Sequence, residues 1–203
     1  MYFPFMMDAA AQKILVVGGG RVAYRKCALF LEYGAEIIAV APTFSSDFPK
    51  LADRVTMISA HYDSSFLEGI QIAVAATDDR EVNAAVSRDC KARNIPVNVV
   101  DMPEMCTFIV PATLRRGDLT IGISTGGKSP ALAADIRKEL EQRYDESYAE
   151  RLEALGVLRT AVKRTVPEIT ARRRILTEAA RLSPAELREM IALYSPAEEE
   201  KNK

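Results

Sequence analysis

The chain is poor in cysteine and histidine and contains no tryptophan. Its 203 residues include three cysteines and one histidine. Cys27, Cys90 and Cys106 lie far apart and form no CxxC pair, which argues against a disulfide framework and a zinc site and fits a reducing cytoplasm. His61 is a lone histidine that follows a predicted strand, so we assign it no role. We expect no bound metal cofactor.

Long apolar runs and an excess of charge of one sign are also missing. No segment reaches the roughly 20 apolar residues needed to span a bilayer. The first apolar run, ILVV, follows a start without a basic region, so we expect no signal peptide. A net charge of −1 gives no electrostatic attraction to nucleic acid or to a membrane surface. We therefore expect a cytoplasmic globular protein of one large or two small domains.

Two halves of the chain differ in their apolar patterning. Up to about residue 125, short β-branched runs alternate with amphipathic stretches, which is typical of an α/β fold with a doubly wound parallel sheet. The predicted strands are 13–17, 36–40, 55–59, 70–75, 96–100, 107–110 and 119–124. The predicted helices are 22–33, 80–93, 131–143, 149–163, 169–182 and 185–193. We expect the final residues, AEEEKNK, to be disordered.

A glycine-rich turn follows the first predicted strand. Residues 18–23 read G-G-G-R-V-A, a G-x-G-x-x-A pattern between a strand and a helix. Gly18 permits the tight turn, Gly20 lets the backbone approach a pyrophosphate, and Ala23 keeps the helix close to the sheet. A plain tight turn would also use glycine, but these flanks favour dinucleotide binding at the helix N-terminus.

The ends of the next two strands carry less specific signals. Residues 40–43 read V-A-P-T, without the acid that binds the ribose of NAD or an arginine for a 2′-phosphate. The pattern therefore does not separate NAD from NADP, and Thr43 or backbone groups are the candidates for reading the ribose. Thr77 and Asp78 follow the strand at 70–75, where this topology places ligands. Capping of the next helix by either residue is an equally good interpretation.

A second glycine motif, G-I-S-T-G-G-K-S over residues 122–129, formally matches a P-loop. We reject that interpretation because Gly122 lies inside a predicted strand and Pro130 marks Ser129 as a helix N-cap. In addition, no later strand is predicted that would carry a magnesium-binding aspartate. A turn of small residues before a helix can instead receive carboxylates, with a well-capped helix as the alternative. The candidate substrate-binding residues are Ser124, Thr125, Gly126, Gly127 and Lys128.

Asp101 ends the buried run V-N-V-V at residues 97–100. A carboxylate at this end of a strand lies in the cleft, where partial burial would tune it for proton transfer. The alternative is an aspartate that only forms a turn or a cap.

Taken in order, ILVVGGGRVAYRK, AATDD, NVVD, TFIVPA and STGGKSP resemble the precorrin-2 dehydrogenase/sirohydrochlorin ferrochelatase part of the siroheme synthases. ARRRIL at 171–176 resembles a run in the helical domain of that family. The resemblance implies a Rossmann domain over 1–113, a dimerisation segment over 114–145 and a helical domain over 146–203. The family has no ribose acid either, whereas its small polar loop is often Ser-Ser-Gly-Gly rather than Ser-Thr-Gly-Gly.

The resemblance implies NAD-dependent oxidation of precorrin-2 to sirohydrochlorin by a homodimer, and it leaves open whether Fe²⁺ insertion into the product accompanies the oxidation. The family's aspartate falls on Asp101, and its dinucleotide contacts fall on Arg21, Val22, Pro42 and Thr43. The substrate would be a tetrapyrrole with many carboxylates. Basic residues that would bind these carboxylates, if they gather near the cleft rather than lie solvated, are Arg115, Arg116, Lys128, Arg137 and Lys138.

One other class of protein fits part of the pattern. An NAD-binding regulatory module would keep the glycine turn but would need neither Asp101 nor the GGKSP loop. The 203 residues contain no methyltransferase domain of the kind that follows this region in trifunctional siroheme synthases, so we expect no methylation of uroporphyrinogen.

Overall fold

The structure, a computed structural model, describes residues 2–195. The predicted disordered segment at 197–203 lies outside these residues. The chain divides into two compact units, Met1–Val110 and Pro111–Lys203, which we call the sheet unit and the helical unit. Among residues 2–195, no helix combines the length and apolarity that crossing a membrane requires.

The sheet unit contains a five-stranded parallel sheet with the strand order β3-β2-β1-β4-β5. A helix follows β1 and another follows β4, as expected for a doubly wound fold. The strands are β1 (Lys13–Val17), β2 (Glu36–Ala41), β3 (Val55–Ser59), β4 (Ile72–Ala75) and β5 (Val97–Val99), and the helices are α1 (Arg21–Glu32) and α2 (Arg80–Ala92).

Both faces of this sheet are covered, which explains why β1 is a continuous apolar run. Ile14 and Val16 join the core cluster on the α1 side, whereas Leu15 and Val17 join the cluster on the α2 side. Successive side chains of a strand point to opposite faces, so a strand buried on both faces contains no polar alternation. The predicted α/β fold is therefore confirmed.

The helical unit begins with an antiparallel hairpin and continues with four helices. Its elements are β6 (Ala112–Arg116), β7 (Leu119–Ile123), α3 (Pro130–Arg143), α4 (Ser147–Thr165), α5 (Ile169–Ala179) and α6 (Pro184–Tyr194). The last three helices enclose a small core made by Leu158, Val162, Ala179 and Leu187. All four helices predicted after residue 129 are present.

The prediction of a strand at 107–110 is wrong. This segment follows the free edge of β5, but side chains make most of its bonds to that edge. The Val97 N–H donates to Thr107 Oγ1 at 2.7 Å, and the Val99 N–H donates to Cys106 Sγ at 3.1 Å. The predicted strand at 119–124 exists as β7, but it pairs with β6, a strand that the sequence did not predict, and not with the parallel sheet.

Candidate functional site

The glycine turn is wedged between the ends of β2 and β4. Gly18 has φ +133°, and a Cβ atom there would lie 2.3 Å from the carbonyl oxygen of Ala76. A Cβ atom on Gly19 would lie 1.9 Å from the carbonyl oxygen of Thr43. Both positions therefore require glycine: Gly18 because of its positive φ and its contact with Ala76, and Gly19 because of its contact with Thr43 alone. The G-x-G-x-x-A motif allows any residue at position 19, so sequence reasoning did not identify the need for glycine there.

Gly20 faces open space, in contrast to its two neighbours. A Cβ atom on Gly20 would meet no atom within 4 Å, and Gly20 is the N-cap of α1. No described side chain caps α1 and no acidic residue lies in its first turn. The first N–H groups of α1 are therefore free to donate to a ligand. The backbone around Gly20 can be approached closely, which suits the pyrophosphate of a dinucleotide. Arg21 and Val22 are exposed beside it, and Ala23 is fully buried against the sheet.

The loop after β2 is tied to the glycine turn. The Ser45 N–H donates to the carbonyl oxygen of Gly19 at 2.8 Å, and the Gly18 N–H donates to that of Val40 at 2.9 Å. Pro42 and Thr43 are exposed in this loop. The structure therefore brings the predicted dinucleotide contacts at Pro42 and Thr43 next to the turn at Gly18–Gly20.

The end of β4 is held by a hydrogen-bond network around Thr77. The buried Asn83 side chain accepts from Thr77 Oγ1 at 2.8 Å and donates to the Thr77 carbonyl oxygen at 2.9 Å. The helix cap expected at Thr77 or Asp78 is instead Asp79, which accepts from the N–H groups of Glu81 and Val82. Asp78 is exposed. Contact of Thr77 and Asp78 with a cofactor stays a prediction.

Asn83 is a site-supporting residue that sequence reasoning missed. It belongs to the buried face of α2, at helical spacing from Val86, Ser87 and Cys90. A polar amide on an otherwise buried helical face is the signal that would have identified it, because buried amides need hydrogen-bond partners.

Asp101 follows β5 in a left-handed backbone conformation, with φ +59°. Aspartate tolerates this conformation better than most residues, and such outliers are enriched at functional sites. Cys106 Sγ lies 3.2 Å from the Val99 carbonyl oxygen and 3.5 Å from that of Met102, so the thiol holds both sides of the turn. Asp101 is exposed in the single chain, and the partial burial that we expected is absent.

The carboxyl ends of parallel strands meet at one edge of a sheet, and in this fold ligands bind at that edge. Gly20, Thr43, Thr77 and Asp101 follow β1, β2, β4 and β5 and therefore share it. The reversal of strand order lies between β1 and β4, where Gly18 contacts Ala76.

The second glycine motif, in the helical unit, does not have the geometry of a P-loop. We call its residues 124–128 the clasped loop. Gly122 lies within the antiparallel strand β7, and Ser129 caps α3 with Pro130 at its first position. Thr125 Oγ1 accepts from the Ser129 N–H at 3.1 Å, which closes the loop. Gly126 and Gly127 have φ +63° and +83° and their Cα atoms are open to solvent.

Most of the basic residues considered for substrate binding are engaged elsewhere. Arg116 pairs with Glu146 at 3.3 Å and Lys138 with Asp135 at 3.4 Å, and Arg137 pairs with Glu141. Lys128 is exposed next to the clasped loop. Within residues 2–195, no group of three or more His, Cys, Asp and Glu side chains is arranged to hold a metal ion.

The two fully buried thiols, Cys27 and Cys90, are poor nucleophiles. Burial raises the pKa of Cys27 from 9.0 to about 12 and that of Cys90 from 9.0 to about 11. Both thiols are protonated near neutral pH and pack in the core on opposite faces of the sheet.

Comparisons with known proteins give the same assignment over most of the chain. Residues 5–112 match a family described as putative NAD(P)-binding, and residues 116–143 match one described as sirohaem biosynthesis protein central. The solved structure of SirC, precorrin-2 dehydrogenase, is similar with a TM-score of 0.78 and 30% identity, covering 95% of this chain and 98% of that one.

Curated siroheme synthases are also similar. That of Psychrobacter sp. (strain PRwf-1) is 42% identical over 179 residues, and that of Chromobacterium violaceum is 41% identical over 175 residues. These alignments cover 87% and 85% of this chain but 37% of each synthase, so the chain spans little more than a third of their length. Because SirC matches over nearly its full length, the chain belongs to the precorrin-2 dehydrogenase family, which the corresponding part of the siroheme synthases shares.

Proposed function

We propose that this chain oxidises precorrin-2 to sirohydrochlorin with NAD as the oxidant, in siroheme biosynthesis. The observation that carries the proposal is the match to SirC, precorrin-2 dehydrogenase, over 95% of this chain. The open Gly20 and the uncapped start of α1 provide the phosphate site that such a reaction needs. Free thiols at Cys27, Cys90 and Cys106 suit a cytoplasmic location.

The dinucleotide, when bound, supplies the hydride acceptor. The chain contributes the backbone of Gly20 and the first turn of α1, which hold the pyrophosphate, and the exposed Thr43, which reads the adenosine ribose. Asp101, at the carboxyl edge of β5, accepts the proton that the macrocycle loses together with the hydride. Its exposure in the single chain leaves the carboxylate accessible to a bound ring. The same carboxylate would serve as the base if the chain also inserts Fe²⁺ into sirohydrochlorin.

The clasped loop at residues 124–128 binds carboxylates of the substrate. Gly126 and Gly127 present a backbone without side chains, and Lys128 adds an exposed positive charge. The Ser124 hydroxyl accepts from the Gly126 N–H at 3.1 Å, which keeps the loop compact. Substrate carboxylates are the anions that such a loop would meet in this reaction.

The chain functions as a homodimer in this proposal. Several large apolar side chains of the helical unit are exposed in the single chain, and a partner subunit would cover them. They are Leu132, Leu152, Val157, Ile169 and Leu193.

Anaerobic incubation of the protein with precorrin-2 and NAD tests the proposal directly. The absorption of sirohydrochlorin should appear only when all three are present. Tight NAD binding without any oxidation of precorrin-2 would replace the enzyme with the regulatory module, the other class that fits the glycine turn.

A further inference from the structure

The two flanks of α1 face different parts of the sheet unit. Residues of an α-helix are spaced by about 100° around its axis. Ala23 and Cys27 are fully buried against the sheet. Tyr24 lies one residue after Ala23, and its ring is 5.9 Å from that of Phe48, which follows β2. Lys26 lies one residue before Cys27 and therefore projects from the opposite flank, which is the side of β4 and β5.

Other residues agree with this placement. Val100 and Phe108, from the end of β5 and the segment beside it, pack into the core cluster on the α1 side. Burial lowers the pKa of Lys26, and a smaller electrostatic contribution from Cys106 acts in the opposite direction. Cys106 Sγ in turn contacts Val99 and Met102, which bracket Asp101.

Lys26 has no ionic partner in the part of the chain that the structure describes. No carboxylate of residues 2–195 lies within ion-pair distance of it, and it makes no hydrogen bond there. Desolvating an ammonium without a counter-ion is unfavourable, and an anionic ligand would offset that cost. A lysine that merely extends its charged end to solvent is the alternative.

We propose that Lys26 anchors a carboxylate of the tetrapyrrole beside Asp101. The inference rests on the proposed function and names a further substrate-positioning residue for it. The competing anion is the pyrophosphate of the dinucleotide. Its site is the backbone around Gly20, six residues earlier. Because α1 rises about 1.5 Å per residue, that site and Lys26 are separated along the helix axis. A substrate with many carboxylates can place one at the β5 side while its reacting ring carbon lies between Asp101 and the cofactor site.

The test compares Lys26→Met, which keeps the length of the side chain and removes the charge, with Lys26→Arg, which keeps the charge. Arg25→Met is the matched control, because Arg25 is exposed on the same helix. Removal of a charge-assisted hydrogen bond should raise the KM for precorrin-2 about tenfold in Lys26→Met. The Kd for NAD should stay within about twofold, and Lys26→Arg and Arg25→Met should behave like the wild type.

A KM within about twofold of wild type in Lys26→Met overturns the inference, as does a loss confined to NAD affinity. If Lys26→Met does not fold, as judged by thermal unfolding, Lys26→Gln replaces it under the same criteria. A wild-type protein that does not oxidise precorrin-2 would refute the proposed function instead. In that case a titration with sirohydrochlorin, followed by absorption, decides separately: weaker binding by Lys26→Met supports the anchor, and equal or absent binding overturns it.

Discussion

The carbonyl oxygen of Thr43 occupies the place where a side chain on Gly19 would begin, 1.9 Å from the position of a Cβ atom. This contact fixes the loop after β2 against the glycine turn. It also keeps Pro42 and Thr43, the predicted dinucleotide contacts, beside the helix start that we propose as the phosphate site. The relationship separates the roles of three consecutive glycines, since Gly20 has no such neighbour.

We therefore expect Gly19→Ala to destabilise the protein, because the contact is with backbone and no side-chain rotation relieves it. The loss should be about 1–3 kcal/mol, the usual range for overpacking. Gly20→Ala should unfold close to the wild-type temperature, since its Cβ atom enters open space. Thermal denaturation of both variants tests this, and equal stabilities would contradict the packing described here.

Gly20→Asp should fold and lose affinity for NAD. A carboxylate at Gly20 would occupy the phosphate site and repel the pyrophosphate. Calorimetric titration with NAD measures the effect, with Gly20→Ala as the control for added bulk alone. Unchanged affinity in Gly20→Asp would remove the dinucleotide from this turn.

Asp101→Asn keeps the size of the side chain and removes its basicity. General-base assistance is typically worth roughly 10²–10⁴-fold, so single-turnover oxidation should slow by about that factor with near-normal NAD affinity. If the rate falls by less than about threefold, water takes the proton and positioning of substrate and cofactor carries the reaction. That result would leave Asp101 as an orienting residue and the dehydrogenase proposal intact.

The protein should sediment as a dimer at micromolar concentration. Val157, which is 52% exposed on α4, lies next to Gly156, whose Cα faces open space, so this face admits a close partner. Val157→Glu should shift the equilibrium toward monomer, whereas Thr177→Glu, on the exposed surface of α5, should not. A wild-type monomer under these conditions would refute the dimer.

The Cys27 thiol should make the fold sensitive to alkali. Its pKa is about 12 in the folded protein against an ordinary value of 9.0, so the unfolded chain loses this proton first. Stability contributed by the protonated thiol is complete below pH 9 and declines between pH 9 and 12, by at most about 1.4 kcal/mol per pH unit. Unfolding of wild type and Cys27→Ala at several pH values should give a shallower decline in the variant. Parallel curves would show that Cys27 does not titrate in this way.

Local sequence patterns predicted much of this molecule. The bounds of β1 and β3 match the predicted ranges. β1 is buried on both faces, and such a run must be continuously apolar. The glycine turn was also predictable, since strand, glycines and helix are adjacent in the chain. Rejection of the P-loop followed from the position of Gly122 within β7 and from the Ser129 cap.

The features that the sequence did not predict depend on contacts between distant segments. Residues 107–110 have strand-like composition, but side chains of Cys106 and Thr107 take up the edge of β5. The requirement for Gly19 arises from Thr43, which is 24 residues away in the chain. The surroundings of Lys26 depend on Cys106, 80 residues further on. Such relationships are set by tertiary packing and leave no periodic signal.

The stoichiometry of anaerobic turnover tests the central claim most directly. Wild-type protein, precorrin-2 and NAD are mixed without any other oxidant, and NADH and sirohydrochlorin are measured in the same sample, with Gly20→Asp in parallel. The account predicts one NADH for each precorrin-2 converted by the wild type and none by Gly20→Asp. Wild-type protein that binds NAD but forms no NADH, or that oxidises precorrin-2 equally well without NAD, would contradict it.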